Sequence, residues 1–184
     1  MEELFETLSF RLLDQPLLSP PPRNLAEGEA VVIARWIGPQ WGALLSVINS
    51  GPDEDDGELT VHLDATGYRR VPGGWRESLS SGGTNWWTTE TPLLRRPEMH
   101  ARAWTLHHFH VSSHDGLEAH WAIGVAGDAA AWVEVTDVDG PVRQPLEAPL
   151  GSFVVAWNGV GPATVELFDR PGSSLGRIGL PRVP

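Results

Sequence analysis

Short apolar runs separated by clusters of turn residues dominate the chain from residue 25 onward. Runs rich in β-branched and aromatic residues are typical of strands, and the Gly, Pro, Asp and Ser between them are typical of turns. The pattern predicts strands at 30–37, 42–48, 59–65, 84–89, 102–111, 117–125, 130–138, 152–158, 163–169 and 175–179. About ten strands at this spacing predict an all-β domain, either an antiparallel β-sandwich or a barrel-like relative.

The N-terminal part of the chain has a different period. Acidic residues stand where the first turn of a helix would be, which the helix dipole favours, and apolar residues recur at helical spacing: Leu4, Phe5, Leu8 and Leu12. A proline-rich spacer follows at 19–24. We therefore expect a short amphipathic helix and spacer at 1–23 and the β-domain at 24–184. Such a helix either docks on its own domain or engages another chain.

Charge and residue usage exclude several classes of function. The 13 basic and 24 acidic side chains give a formal charge of −11, which makes nucleic acid and anionic membranes poor partners. The chain has no cysteine, so disulfides, thiolate metal sites and thiol nucleophiles are excluded. All basic residues are arginine, which excludes lysine chemistry. The apolar runs are too short for a transmembrane helix, and the N-terminus is acidic where a signal peptide would be basic, so a cytoplasmic location is expected.

Five of the seven histidines lie between residues 104 and 121, in two predicted strands joined by a turn at SHDGL. A two-residue loop would pair His110 with Trp121, and so mix histidines with apolar side chains on one face. A three-residue loop would pair Phe109 with Trp121 and would place His110 opposite His120. Only the second register separates polar from apolar residues, so it is the one we predict.

The predicted register brings His108, His110 and His120 to one face of the hairpin. Three imidazoles on neighbouring strands can hold zinc or a similar divalent metal and leave one coordination position open. An exposed ladder of polar side chains, without metal, is the other interpretation of the same pattern and the one that we favour. No carboxylate can be assigned from the sequence to orient these rings.

Nine tryptophans, an unusually high number, divide into two predicted groups. Those inside apolar runs are expected in the core: Trp36, Trp87, Trp121, Trp132 and Trp157. Those beside glycine-rich or turn segments are expected at the surface or its edges, as a ligand or partner surface: Trp41, Trp75, Trp86 and Trp104. Exposed tryptophan serves both carbohydrate stacking and protein interfaces. Aromatic caps over a small core, with no binding role, are the third interpretation and the one that we favour.

No recognisable catalytic signature occurs. DEDDGE at 53–58 lacks the acid spacing of a calcium loop, and GSS at 172–174 lacks the setting of a nucleophile elbow. No phosphate-binding glycine loop is present, and no pair of carboxylates stands out for glycoside hydrolysis. We therefore assign no catalytic residue and no cofactor.

Motifs from about residue 66 onward are similar to those of uncharacterised β-sandwich-type proteins of high-GC bacteria. They are GGW, SGGTNW, HWAIGVAGDAAAWVEV and GSFVVAWNGVGPATVELFDRPGSSLGRI. The turn that begins at Asp169 departs from the aspartate-glycine turn of the resembled module. The resemblance implies a β-fold and carries no functional residue with it.

Three functions remain compatible with the sequence. The leading hypothesis is a non-enzymatic β-domain that mediates protein–protein association or self-association, through tryptophan-bearing loops or the N-terminal helix. The second is a metal-dependent enzyme that uses the three histidines. The third is a carbohydrate-binding module.

Overall fold

A computed structural model describes residues 26–52, 59–84, 100–114, 117–146 and 151–180. These residues form eleven strands: β1 (Ala30–Ile37), β2 (Trp41–Pro52), β3 (Leu59–Val71), β4 (Gly74–Thr84), β5 (Trp104–His114), β6 (Leu117–Ala126), β7 (Ala130–Asp137), β8 (Gly140–Pro145), β9 (Ser152–Asn158), β10 (Ala163–Asp169) and β11 (Ser174–Leu180). The all-β prediction is confirmed. The predicted N-terminal helix lies outside the described residues.

The strands form three antiparallel sheets, with strand orders β1-β2-β3-β4, β11-β10-β7-β8 and β5-β6-β9. Most neighbours are joined by hairpins, which explains the uniformly antiparallel pairing. Gly73 and Gly140, with φ of +95° and +103°, close the β3–β4 and β7–β8 turns in a conformation that other residues rarely adopt. No membrane-spanning helix is found in the described ranges, and the cytoplasmic location stays a prediction.

The main core lies where the sheets meet. Strand β9 contacts strands of both other sheets, β1 and β2 of the first and β7 of the second. Its residues from Ser152 to Trp157 are all buried, with exposures of 5% or less. Side chains from the inner faces of the other sheets complete this core, among them Trp36, Leu45, Val133 and Leu167. Burial of β9 on every side is the expected behaviour of a continuous apolar run such as SFVVAW.

The sequence pattern misplaced one strand and missed two others, β4 and β8. The predicted strand at 84–89 is wrong at its start, because Thr84 is the last residue of β4; residues 85–89 lie outside the described ranges. Strand β4 begins at Gly74 within residues that read as a turn and a glycine-serine loop. Strand β8 was missed because Pro141 and Pro145 lie within it, and proline within a run argues against a strand. Proline is tolerated there because β8 is the edge strand of its sheet.

Strand β8 is tied to the edge of the first sheet by a side chain. The backbone N–H of Ile37, the last residue of β1, donates to Gln144 Oε1 at 3.1 Å. The Gln144 amide nitrogen donates in return to the carbonyl oxygen of Ile37. The amide thus pairs with an open strand edge as a neighbouring backbone would, and joins β8 to β1.

Candidate functional site

The histidine hairpin, formed by β5 and β6, has a different register from the predicted one near its turn. His110 lies opposite Trp121, and His114 lies opposite Leu117. Only residues 115 and 116 remain for the loop, so the predicted three-residue loop is wrong. His120 lies opposite Val111 rather than opposite His110.

A β-bulge between His107 and Phe109 reconciles the two registers. On the side of the bulge away from the turn, His107 lies opposite Ile123, as the register with a three-residue loop requires. On the turn side, Phe109 lies opposite Ala122, one step out of that register. A bulge inserts one extra residue into one strand, here His108. The sequence-based prediction assumed one register for the whole hairpin and therefore missed the shift.

The pairing on which the predicted three-histidine site depends is therefore not made. Successive rungs of a ladder alternate between the two faces of a sheet, and His110 and His120 occupy successive rungs. His120 is 1% exposed, so the predicted exposed ladder is wrong for this residue. Its ring packs edge-on against Trp157, with centroids 5.6 Å apart.

The metal hypothesis itself stays a prediction. The side chains of His108 and His110 lie outside those that the structure describes. Among the described residues no group of three or more histidine, aspartate or glutamate side chains could hold a metal ion. Retention of the untagged protein on immobilised nickel, lost in His110→Ala, is the test of a site on this hairpin.

Three of the five tryptophans predicted in the core are buried. Trp36, Trp121 and Trp157 are 1–2% exposed, and Trp87 lies outside the described residues. Trp132 is 37% exposed, so its predicted core position is wrong. Alternation explains the difference, because the neighbouring Val133 occupies the inner face of β7 and leaves the outer face to Trp132.

The four tryptophans predicted at the surface behave differently from one another. Trp41 is 4% exposed, so its predicted surface position is wrong; it starts β2 and shares the inner face with Ala43. Trp75 and Trp104 are half-buried, as expected for edge positions. Trp86 lies outside the described residues. A role for any of the four in binding a ligand or partner stays a prediction.

Trp41 lines a small cleft between the β1–β2 turn and the β7–β8 turn. Trp36, Gln40, Asp137 and Asp139 also line it. The indole nitrogen Nε1 of Trp41 is buried and makes no hydrogen bond to the described residues. Both oxygens of Asp137 accept backbone bonds, from the N–H of Asp139 and of Asn158, each at 2.8 Å. These carboxylate bonds fix the β7–β8 turn and the end of β9 rather than leave a free acid for chemistry.

The outer surface of the β11-β10-β7-β8 sheet carries the most distinctive cluster, which we call the Trp132 face. One rung runs across β8, β7 and β10 as Pro145, Trp132 and Phe168. A second runs across all four strands as Arg143, Glu134, Glu166 and Arg177. Aromatic residues and a balanced row of two cations and two anions thus stand side by side.

Arg143 links the two rungs of the Trp132 face. Its guanidinium carbon lies 4.0 Å from the ring centroid of Phe168 and 5.5 Å from that of Trp132. A cation over an aromatic ring is attracted by the negative face of the π system. The arginine therefore covers part of both rings while its own side chain stays exposed.

An ion pair anchors the other side of this face. Arg177 Nε donates to Glu166 Oε2 at 2.8 Å, and Nη2 donates to the same oxygen. A hydrogen bond from the Ser174 side chain, followed by the bond and the charge of Arg177, holds the pKa of Glu166 below its usual value. Glu166 is thus kept ionised in the midst of the sheet.

Sequence reasoning missed the Trp132 face because Trp132, Phe168 and Arg143 are far apart in the chain. The one available signal was the alternation in AAWVEV, which puts Trp132 and Glu134 on the same face. No protein-family model matches the sequence, and no curated protein or solved structure shows significant similarity to it. The resemblance to proteins of high-GC bacteria therefore stays a prediction.

Proposed function

We propose that the chain is a non-enzymatic β-sandwich domain that binds protein, either a second copy or another chain, through the Trp132 face. The contacts of β9 with β1 and β2 of one sheet and with β7 of another support the sandwich arrangement. The exposed outer surface of one of its sheets is then available to a partner.

The observation that carries this proposal is the exposure of Trp132. Three other tryptophans of the chain are 1–2% exposed, whereas Trp132, on strand β7, is 37% exposed. Tryptophan and arginine are the residue types most enriched at the energetic centres of protein interfaces. Trp132 and Arg143 lie against each other here, surrounded by polar rungs such as that of Glu166.

The charge of this face also suits a protein partner. Its second rung balances two arginines with two glutamates, although the chain as a whole carries −11. A partner therefore meets little of the general negative field at this surface. Alternating charges across an interface fix its register more than they raise its affinity.

Stacking of a sugar on this face is less well supported. Sugar rings stack on open aromatic faces, and here Arg143 lies 4.0 Å from the centroid of the Phe168 ring. A sugar would have to displace this guanidinium first. Titration of the intrinsic tryptophan fluorescence with a panel of glycans tests this alternative, and a saturable response lost in Trp132→Ala would favour it.

Self-association is tested with purified protein by sedimentation velocity over a wide concentration range. If a second copy is the partner, Trp132→Ala weakens the dimer at least about tenfold, because loss of a hot-spot side chain costs more than about 1.4 kcal/mol. Val160→Ala is the matched control, since Val160 is 69% exposed but lies in the β9–β10 turn.

A different partner is tested in cells that naturally make the protein. A photo-reactive phenylalanine analogue placed at Trp132 should give a defined cross-linked species, whereas the same group at Val160 should not. A protein that is monomeric at every concentration and cross-links alike from both positions contradicts the proposal.

A further inference from the structure

The sheet β1-β2-β3-β4 is buried on both faces. Its inner face joins the main core through Trp36, Ala43 and Leu45. Its outer face carries a second apolar cluster, in which Val32, Leu44 and Tyr68 are 5%, 2% and 1% exposed. Two polar residues on the same rungs, Ser46 and Thr66, are buried as well, at 6% and 7%.

This burial requires a covering layer. Among the described residues, Trp75 is the apolar side chain that packs on the second cluster. A single half-buried indole at one edge cannot cover residues on three strands, because neighbouring strands lie about 4.8 Å apart. Without such a layer, the outer face of the β1-β2-β3-β4 sheet would be open to water.

Basic side chains flank this outer face. Arg35 shares a rung with Leu44 on the β1 side, and Arg70 shares a rung with Trp75 on the β4 side. The guanidinium of Arg70 lies 5.3 Å from the centroid of the Trp75 ring. The rungs of this face also include Asp64, opposite Ser46, and Glu77, opposite Tyr68, so the apolar strip is bordered by charges of both signs. Such a strip suits an amphipathic segment that buries apolar side chains and carries charge at its margins.

We propose that residues 2–13 cover this face as an amphipathic helix packed on the sheet. The segment has apolar residues at helical spacing, Leu4, Phe5, Leu8 and Leu12, and three glutamates, Glu2, Glu3 and Glu6. Its apolar side chains lie on Val32, Leu44 and Tyr68, and its glutamates approach Arg35 and Arg70. The inference is independent of the proposed role of the Trp132 face.

The position of the chain supports this assignment. The N–H of Gly28 donates to the carbonyl oxygen of Asn49 at 2.8 Å, so the chain enters the fold at the end of strand β2 in this same sheet. Residues 14–25 precede that point. Even as an extended proline-rich spacer of about 3.1 Å per residue, they reach about 37 Å, more than the width of four strands.

Residues 85–99, which follow strand β4 of the same sheet, are another segment that could cover this face. This segment carries two acidic and two basic residues, and its apolar residues do not recur at helical spacing. Pro92 and Pro97 also interrupt any helical period in it. The helical pattern therefore favours the N-terminal segment as the cover.

Tyr68 provides a specific test, because it is the single tyrosine of the chain. Nitration of Tyr68 by tetranitromethane is followed by mass spectrometry in the full chain. We expect slow nitration in the wild type and a rate at least about tenfold higher in the double variant Leu4→Glu/Leu8→Glu. The matched control, Leu93→Glu/Leu94→Glu, should nitrate as slowly as the wild type.

The result that overturns the proposal is equally defined. Slow nitration in Leu4→Glu/Leu8→Glu, or faster nitration in the 93/94 variant, shows that the N-terminal segment is not the specific cover. Wild-type nitration as fast as that of a free tyrosine amide does the same, because it shows that no cover is present.

Cross-linking keeps the test decisive if the glutamate variants unfold. The chain has no cysteine, so a pair can be introduced cleanly. Arg70→Cys is combined in turn with Glu2→Cys, Glu3→Cys or Glu6→Cys and treated with a short bismaleimide. At least one pair should cross-link within the chain, while Glu90→Cys with Arg70→Cys should not. Absence of all three cross-links, or cross-linking from position 90 alone, overturns the assignment.

Discussion

Arg143, on the edge strand β8, lies with its guanidinium carbon 4.0 Å from the ring centroid of Phe168, on a strand that is not its neighbour. The side chain crosses β7, between the two strands, where it also lies 5.5 Å from the Trp132 ring. One exposed arginine thus connects three strands of the sheet on the surface that we propose for partner binding.

Removal of this arginine should lower stability modestly. Arg143→Ala loses two cation–π contacts at an exposed site, each worth on the order of 0.5–1 kcal/mol, so we expect a loss of about 1 kcal/mol. Urea unfolding monitored by circular dichroism measures it. Arg76→Ala, at an exposed residue of β4, is the control and should change stability by less than about 0.5 kcal/mol. Equal losses in both variants would show that the ring contacts contribute nothing.

The ionised form of Glu166 should make stability depend on pH. Its pKa is lowered in the folded state by Ser174 and Arg177, so its contribution is present above the unfolded value of about 4.5 and is lost as pH falls through the folded pKa. We expect Glu166→Gln to be less stable than the wild type at pH 7, by on the order of 1 kcal/mol, since the Arg177 side chain is 62% exposed and screened.

The difference between Glu166→Gln and the wild type should shrink as pH falls below about 4.5, and urea unfolding at pH 7, 5 and 3 measures it. Glu134→Gln, on the same rung, serves as the control for loss of a charge. If the stability difference between Glu166→Gln and the wild type does not change with pH, the ion pair of Glu166 with Arg177 is not its source.

Gly124 is required by its cross-strand neighbour. A Cβ at this position would lie 2.2 Å from Cζ of Phe153, which is 2% exposed in the core. Gly124→Ala should therefore cost about 1–3 kcal/mol of stability through overpacking. Gly179→Ala is the matched control, because a Cβ added at Gly179 would meet no other atom within 4 Å.

A compensating change tests the cause of the Gly124 effect. In Gly124→Ala/Phe153→Leu the smaller side chain should recover part of the loss, so the two changes should not add. Strict additivity in a double-mutant cycle would show that the ring of Phe153 is not what excludes the methyl group.

The side-chain amide of Gln144 should hold the end of β1. Gln144→Ala removes both hydrogen bonds to the backbone of Ile37. We expect a loss of about 1–2 kcal/mol and faster hydrogen exchange of the Ile37 amide. Gln40→Ala, an exposed glutamine in the adjacent turn, is the control. Unchanged exchange at Ile37 in Gln144→Ala would contradict the proposed tie.

The register of the histidine hairpin can be determined by engineered disulfides. Ser112 lies opposite Ala119, so Ser112→Cys/Ala119→Cys should oxidise to a disulfide. Val111→Cys/Ala119→Cys, the pair that the three-residue loop would have aligned, should not. The reverse result would restore the register in which His110 faces His120. Mass spectrometry before and after reduction distinguishes the outcomes.

Much of the strand pattern could be predicted from local sequence. Ala30–Ile37, Ser152–Asn158 and Ala163–Asp169 have the predicted bounds. Their runs are apolar or alternating and end at strong turn residues, so each carries its own signal. Strand β4 has no such signal, because its run of glycine and serine reads as a loop, and it forms by pairing along β3.

Most of the candidate site could not be predicted from the local sequence pattern. An alternating strand has two faces, but the sequence does not state which face another layer will cover. Trp132 and Trp41 were therefore assigned to the wrong environments, although both lie on strands that the sequence pattern located. The bulge at His108 is similar, since it depends on how β6 is held between β5 and β9.

The sequence by itself determined that the chain is built of antiparallel strands, where most of them begin and end, and that no thiol or lysine chemistry is available. Tertiary structure decided which tryptophans are covered, which histidines share a rung and where arginine meets aromatic rings. The physical reason is that strand formation depends on side-chain period and turn chemistry, which are local. Burial and register depend on layers and neighbours contributed by distant parts of the chain.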